Sequence, residues 1–252
     1  MGGGRLVASR IVAGLAALFW GWLFFGVQDT LTVFVEGRDF AAHYLMESGW
    51  GLLFLLLVAV PAAGLAYKPR SPVLVAEIGA VGLAVIGGAL LAGSAVHLLP
   101  GAGLLMTAAA LGTVAPVDLR ARRPQLDRPL GALVAVALLP AAAYAWRMAR
   151  STHDVEQTVK LDHYPIQAAL GIAVPLVAAL IAIARCWPAT PLATFTLVVT
   201  VGWMAVESAI YPHRLGSFGP VWSWVALGWA VLFLLVALRP RTARLPSRDL
   251  RG

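Results

Sequence analysis

The stretch HYLMESGWGLLFLLLVAVPAAGLAY, His43 to Tyr67, decides the fold class. Glu47 is its single charged residue, and from Gly49 onward it is apolar without interruption. A bilayer core about 30 Å thick is crossed by about 20 such residues in an α-helix. Seven further runs of similar character flank it, giving apolar segments near 8–27, 43–67, 72–95, 100–117, 129–147, 165–185, 190–211 and 219–238. The spacing predicts an all-α polytopic membrane protein with eight transmembrane helices. His97-Leu-Leu-Pro100-Gly101 reads as the tight turn that separates the third run from the fourth.

Composition agrees. The chain has 252 residues, 60% of them hydrophobic and 12% charged, against about 25% charged in a soluble domain. A net charge of +7 raises the question of nucleic acid. The basic residues stand in short loops between apolar runs, where they orient helices, so nucleic acid is excluded as a partner. The lone Cys186 rules out an intrachain disulfide and Cys-rich metal motifs. The run after Arg5 and Arg10 has no small-x-small cleavage site and contains Trp20 and Trp22, so it reads as a first spanning helix.

Charge placement gives the expected orientation. With the N-terminus inside, five of the 19 Lys and Arg residues lie outside: Arg38, Arg147, Arg150, Lys160 and Arg214. The excess on the other side predicts a multi-pass protein of the cell membrane with both termini cytoplasmic. The same topology puts all five histidines, His43, His97, His153, His163 and His213, at outer helix ends or in outer loops. The bilayer is the expected environment, with a membrane-protein partner or a second copy as the other candidate partner.

The start of the quoted stretch also carries the candidate chemistry. Asp39, His43 and Glu47 recur every four residues and share one helical face. The pattern returns 120 residues later, where His163, Tyr164, Gln167 and Gly171 occupy the places of His43, Tyr44, Glu47 and Gly51. Ser94-Ala-Val-His97 is matched in the same way by Ser208-Ala-Ile-Tyr211. These matches predict two four-helix units, 1–118 and 129–238, joined by a basic linker at 119–128 and followed by a basic tail at 239–252. Four is an even number, so the copies share orientation about an axis along the membrane normal.

Imidazole with carboxylate suits transition metals. The site expected is an outward-facing His/carboxylate group holding Cu, Zn or Fe, or haem, with His43, Glu47, His163, His97 and His213 as ligands. Glu47 and Glu207 are the carboxylates assigned to chemistry, in a redox or hydrolytic membrane enzyme. A carboxylate one turn inside an apolar run needs a partner, a proton or water. The competing readings are a transporter or lipid-handling carrier, which requires a large apolar cavity that opens outward between the two halves and reaches the midplane, and a non-catalytic accessory subunit. Asp39 as a helix cap with His43 and Tyr44 at headgroup level is the structural alternative for the first cluster. Glu77, five residues into the third run, is expected to reach Lys68 or Arg70. Trp50, Trp146, Trp187, Trp222 and Trp224 read as interface anchors.

Two families share features with these residues. The segment His153 to Gln167 is similar to the C subunits of copper membrane monooxygenases in setting carboxylates and histidines at a helix mouth, with Gln167 where a histidine would stand. The four-plus-four layout with histidines in each half resembles haem A synthase, without its Glu-x-x-His pattern or its long Cys-bearing loops.

Overall fold

A computed structural model describes residues 3–35, 44–114, 124–151 and 163–240. Among them there is no strand; the protein is all-helical. In chain order the helices are α1 (Gly3–Leu18), α2 (Gly26–Val35), α3 (Tyr44–Phe54), α4 (Val60–Tyr67), α5 (Pro72–Ala92), α6 (Leu98–Val114), α7 (Arg128–Ser151), α8 (Tyr164–Ala184), α9 (Thr190–Ile210) and α10 (Pro220–Leu238). A π-helical turn, Leu55–Ala59, joins α3 to α4 as one span, and another, Phe19–Leu23, extends α1. Among the described residues seven spans are long and apolar enough to cross a membrane. The eighth apolar run folds as α6, whose 17 residues make it the short member of the set.

Proline and glycine set the helix ends. Pro72, Pro165, Pro191 and Pro220 each stand in a first turn, where the missing N–H would have had no partner. Gly93 closes α5 in the left-handed conformation (φ 67°), and the Ser94 N–H returns to the Ala89 carbonyl. The turn between α5 and α6 is therefore made by Gly93 to His97. Pro100 and Gly101, expected in that turn, lie inside the first turn of α6 instead. The first span is kinked where Phe25 takes a positive φ of 65°, an unusual conformation for a bulky residue. Beyond the kink, α2 continues along α3 while α1 runs along α4.

α8 is the hub. Two thirds of its most apolar window (67%) is buried, against 17% for α10. α8 packs most extensively on α5 and α7. The α5 contact is close because Gly88 has no side chain: a Cβ there would stand 2.4 Å from the Pro165 carbonyl oxygen. One continuous core cluster runs from Ala13 to Phe233 through both halves of the chain. α1, α7 and α10 turn most of their surface outward, with Leu15, Leu139 and Leu235 among the exposed apolar residues. Such a surface suits a lipid bilayer environment.

The antiparallel connections give the bundle two ends. Asp127, Arg185 and Arg239 gather at one, and His97, His163 and Glu207 lie at the other.

Candidate functional site

At the histidine end, Glu207 sits in the last turn of α9, buried with 4% of its surface exposed. One carboxylate oxygen, Oε1, accepts two hydrogen bonds of 2.8 Å, from Trp203 Nε1 one turn earlier and from Ser48 Oγ on α3. Its other oxygen, Oε2, has no hydrogen-bond partner among the described residues. The carboxylate thus ties α9 to α3, with the Trp203 ring covered by Phe34 at 5.6 Å.

His97 and His163 meet on opposite sides of the sequence but around one ring. Trp50 has its ring centre 6.3 Å from that of His97 and 5.7 Å from that of His163. His97 is buried, with Nδ1 2.7 Å from Ser94 Oγ. Glu47 lies half-buried one helical turn before Trp50. His213 is exposed on the connection between α9 and α10. His43, with Asp39, His153, Asp154, Glu156 and Asp162, lies outside the described residues. Among the described residues no three His, Cys, Asp or Glu side chains are grouped so as to hold a metal ion. Trp50 also departs from its expected place at an interface. Its ring stacks on Phe24 at 5.6 Å and its Nε1 donates to the Phe24 carbonyl, so it is part of an aromatic core.

The two matching stretches do come into contact, through Gln167. Its Nε2 donates to the backbone carbonyls of Leu45 (2.6 Å) and Met46 (3.2 Å), and its Oε1 lies 2.8 Å from the Tyr144 hydroxyl. The position that replaces a carboxylate with an amide therefore serves as a bridge between α8, α3 and α7. An amide can donate to those carbonyls, and a carboxylate cannot.

Glu77 reaches neither Lys68 nor Arg70. It is fully buried and accepts from Thr196 Oγ1 on α9 at 2.7 Å. The partner is across the bundle because Glu77 faces the core side of α5, whereas the two cations stand beyond the start of that helix.

Behind this end, α7, α8, α9 and α10 enclose a cavity of about 300 Å³. Its walls are apolar: Pro140 on α7, Val174 on α8, Val201 on α9 and Trp229 on α10 all line it. It is open toward the exposed faces of α7 and α10, where Val136 is 68% exposed and Trp222 55%. At the inner limit Trp229 Nε1 donates to the Leu133 carbonyl at 2.9 Å. At the histidine end the wall carries Tyr144 and Arg147. Tyr144 OH is 2.8 Å from both Gln167 Oε1 and the Gly216 carbonyl. The Arg147 guanidinium lies over the Tyr144 ring at 5.4 Å and donates through Nη2 to the Ser217 carbonyl. The same frame that joins the two stretches thus fixes a cation at one end of an apolar chamber.

Sequence reasoning had no hold on the cavity. Arg147 reads as an outer loop charge, and nothing in α7 signals that Pro140 and Tyr144 face a gap. Trp203 carried the one usable signal, standing four residues before Glu207 and so on the same helical face. No protein-family model, curated protein or solved structure matches the chain.

Proposed function

We propose that this protein is a lipid-handling carrier that takes an apolar ligand sideways from the bilayer into the cavity between α7, α8, α9 and α10. The observation that carries this reading is the cavity itself, about 300 Å³ with an apolar wall and an opening toward the exposed apolar faces of α7 and α10. That volume is at the lower end of small-molecule sites, about 300–1,000 Å³. The frame is an eight-span bundle in two parallel repeats, in the cell membrane, with both termini cytoplasmic and the histidine end outside. Matched packing supports the repeat: α1 lies along α4 as α7 lies along α8, and α5 pairs with α6 as α9 pairs with α10. Photo-crosslinking tests the reading. In phosphatidylcholine vesicles, a lipid bearing a diazirine in its acyl chain should label peptides of α7 and α10 that line the cavity. Val174→Phe should fill the space and remove that labelling. Labelling spread evenly over α1, α7 and α10, and unchanged by Val174→Phe, would reject it.

A second reading keeps the His/carboxylate site, binding Cu, Zn, Fe or haem. It is supported by His97 and His163 sharing Trp50, with Glu47 one turn away. Metal analysis and absorption spectroscopy of the purified protein test it: no bound metal and no Soret band after reconstitution would remove it.

A further inference from the structure

We infer that the cavity's occupant is an anionic phospholipid, with one acyl chain in the chamber and its phosphate on Arg147; this rests on the carrier reading above. Three observations lead there. The first is shape. From Arg147 to Val136 the cavity wall follows α7 for 11 residues, about 16 Å at 1.5 Å per residue. A chamber that long with a volume of about 300 Å³ is narrow, and fits one hydrocarbon chain while the second stays in the bilayer.

The second is depth. Arg147 stands four residues before Ser151, the last described residue of α7, about 6 Å along the helix. The headgroup layer adds about 5–7 Å on each side of the hydrocarbon core. On the proposed orientation, with Ser151 set at the outer edge of the headgroup layer, the guanidinium is level with lipid phosphates and the chamber below it with acyl chains.

The third is unmet charge. Among the described residues both ion pairs belong to Asp127, at the other end of the bundle, and no carboxylate pairs with Arg147. Nη2 is held by the Ser217 carbonyl and the plane of the group rests over Tyr144, while Nε and Nη1 make no hydrogen bond among the described residues. The side chain is exposed and lines the cavity. A planar fork anchored at one corner presents its remaining N–H groups to a phosphate. Every phospholipid offers one, but with no carboxylate beside Arg147 a choline ammonium on that phosphate would bring a second unpaired cation. A headgroup of net negative charge is therefore the one that neutralises the site. Arg150, one turn on, instead lies over the Trp146 ring at 4.5 Å and is not part of the cavity wall.

Trp222 and Trp229 line the chamber, so a brominated chain in it quenches their fluorescence. The full-length protein would be reconstituted in phosphatidylcholine vesicles and titrated with brominated-chain phosphatidylglycerol or brominated-chain phosphatidylcholine. The expected result is half-maximal quenching at about a tenfold lower mole fraction for the anionic lipid, the scale of one charge-assisted hydrogen bond. Arg147→Gln should reduce the preference to about one and leave quenching by the neutral lipid intact. Arg150→Gln should retain it. If the Gln protein does not fold, Arg147→Lys is used, and is expected to lower the preference without abolishing it. Equal curves for the two lipids, an undiminished preference without Arg147, or an equal loss in Arg150→Gln would overturn the headgroup assignment and leave the chain site standing. If neither lipid quenches more in the native protein than in Val174→Phe, the carrier reading itself fails.

Discussion

Gly49 has room for nothing larger than hydrogen. A Cβ built on it would stand 2.0 Å from Gln167 Nε2 and 2.5 Å from Cδ of the same side chain. That side chain cannot step aside without giving up its bonds to Leu45, Met46 and Tyr144. Gly49→Ala should therefore lower stability by about 1–3 kcal/mol despite the better helix propensity of alanine, read as a fall in melting temperature in detergent. Gly202→Ala, where nothing lies within 4 Å, is the control and should be neutral or slightly stabilising. Glu207 permits a similar contrast. Glu207→Gln keeps an oxygen acceptor for Trp203 and Ser48 and should melt within about 0.5 kcal/mol of the native protein, whereas Glu207→Ala strands both donors at about 1–3 kcal/mol. That Glu207 needs a partner was legible, because a carboxylate inside an apolar run must be accounted for. Ser48 was not, because a serine 159 positions away in an apolar helix gives no signal until the bundle is closed.

At the scale of elements, the ends of the helices were legible and their joints were not. The apolar runs placed the starts of α5, α8 and α10 near 72, 165 and 219, within a residue of where those helices begin. The π-helical turns and the positive φ at Phe25 lie where α1–α2 packs on α3–α4, and no local pattern records them. The clamp at the other end of the bundle is also tertiary. Asp127 caps α7 by accepting the Leu130 N–H at 3.2 Å, and its carboxylate receives Arg185 from the end of α8 and Arg239 from the end of α10, the latter at 2.6 Å. Burial alone would raise its pKa, but the hydrogen bonds from Arg185, Leu130 and Arg239 outweigh that and hold it below the ordinary 3.8. A carboxylate depressed in the folded state contributes stability that is complete above its ordinary pKa and lost as pH falls through the folded value. Melting temperature should thus hold steady from neutral pH to about pH 4 and fall below it, and Asp127→Asn should remove that acid-dependent fraction. At neutral pH the same substitution should cost about 1–3 kcal/mol, since Arg185 is 9% exposed and would lose its counter-ion.

Across the whole molecule, the proposed repeat sets one position of each half side by side. On the proposed repeat, the offset of 120 residues that relates His43 to His163 also carries Trp20 to Pro140. Pro140 lines the cavity, and on that repeat the buried Trp20 would stand in the corresponding place of the first half. Its ring stacks on Phe54 at 5.6 Å and meets Phe24 edge-on at 4.9 Å, and Nε1 donates to Thr107 on α6. The sequence displayed Trp20 only as an aromatic residue far from a helix end, so its role as a plug was invisible. Trp20→Ala should then do two things. It should destabilise the protein by about 3–5 kcal/mol, the range for emptying a buried aromatic site. It should also open a second chamber beside Trp50, whose ring lies 5.3 Å from that of Phe54. In a Val174→Phe background, where the natural cavity is filled, brominated-chain phosphatidylcholine should regain its quenching once Trp20 is removed. A Trp20→Ala, Val174→Phe protein that is destabilised yet takes up no chain would mean that the space collapses, and that only the second half is built to hold a lipid.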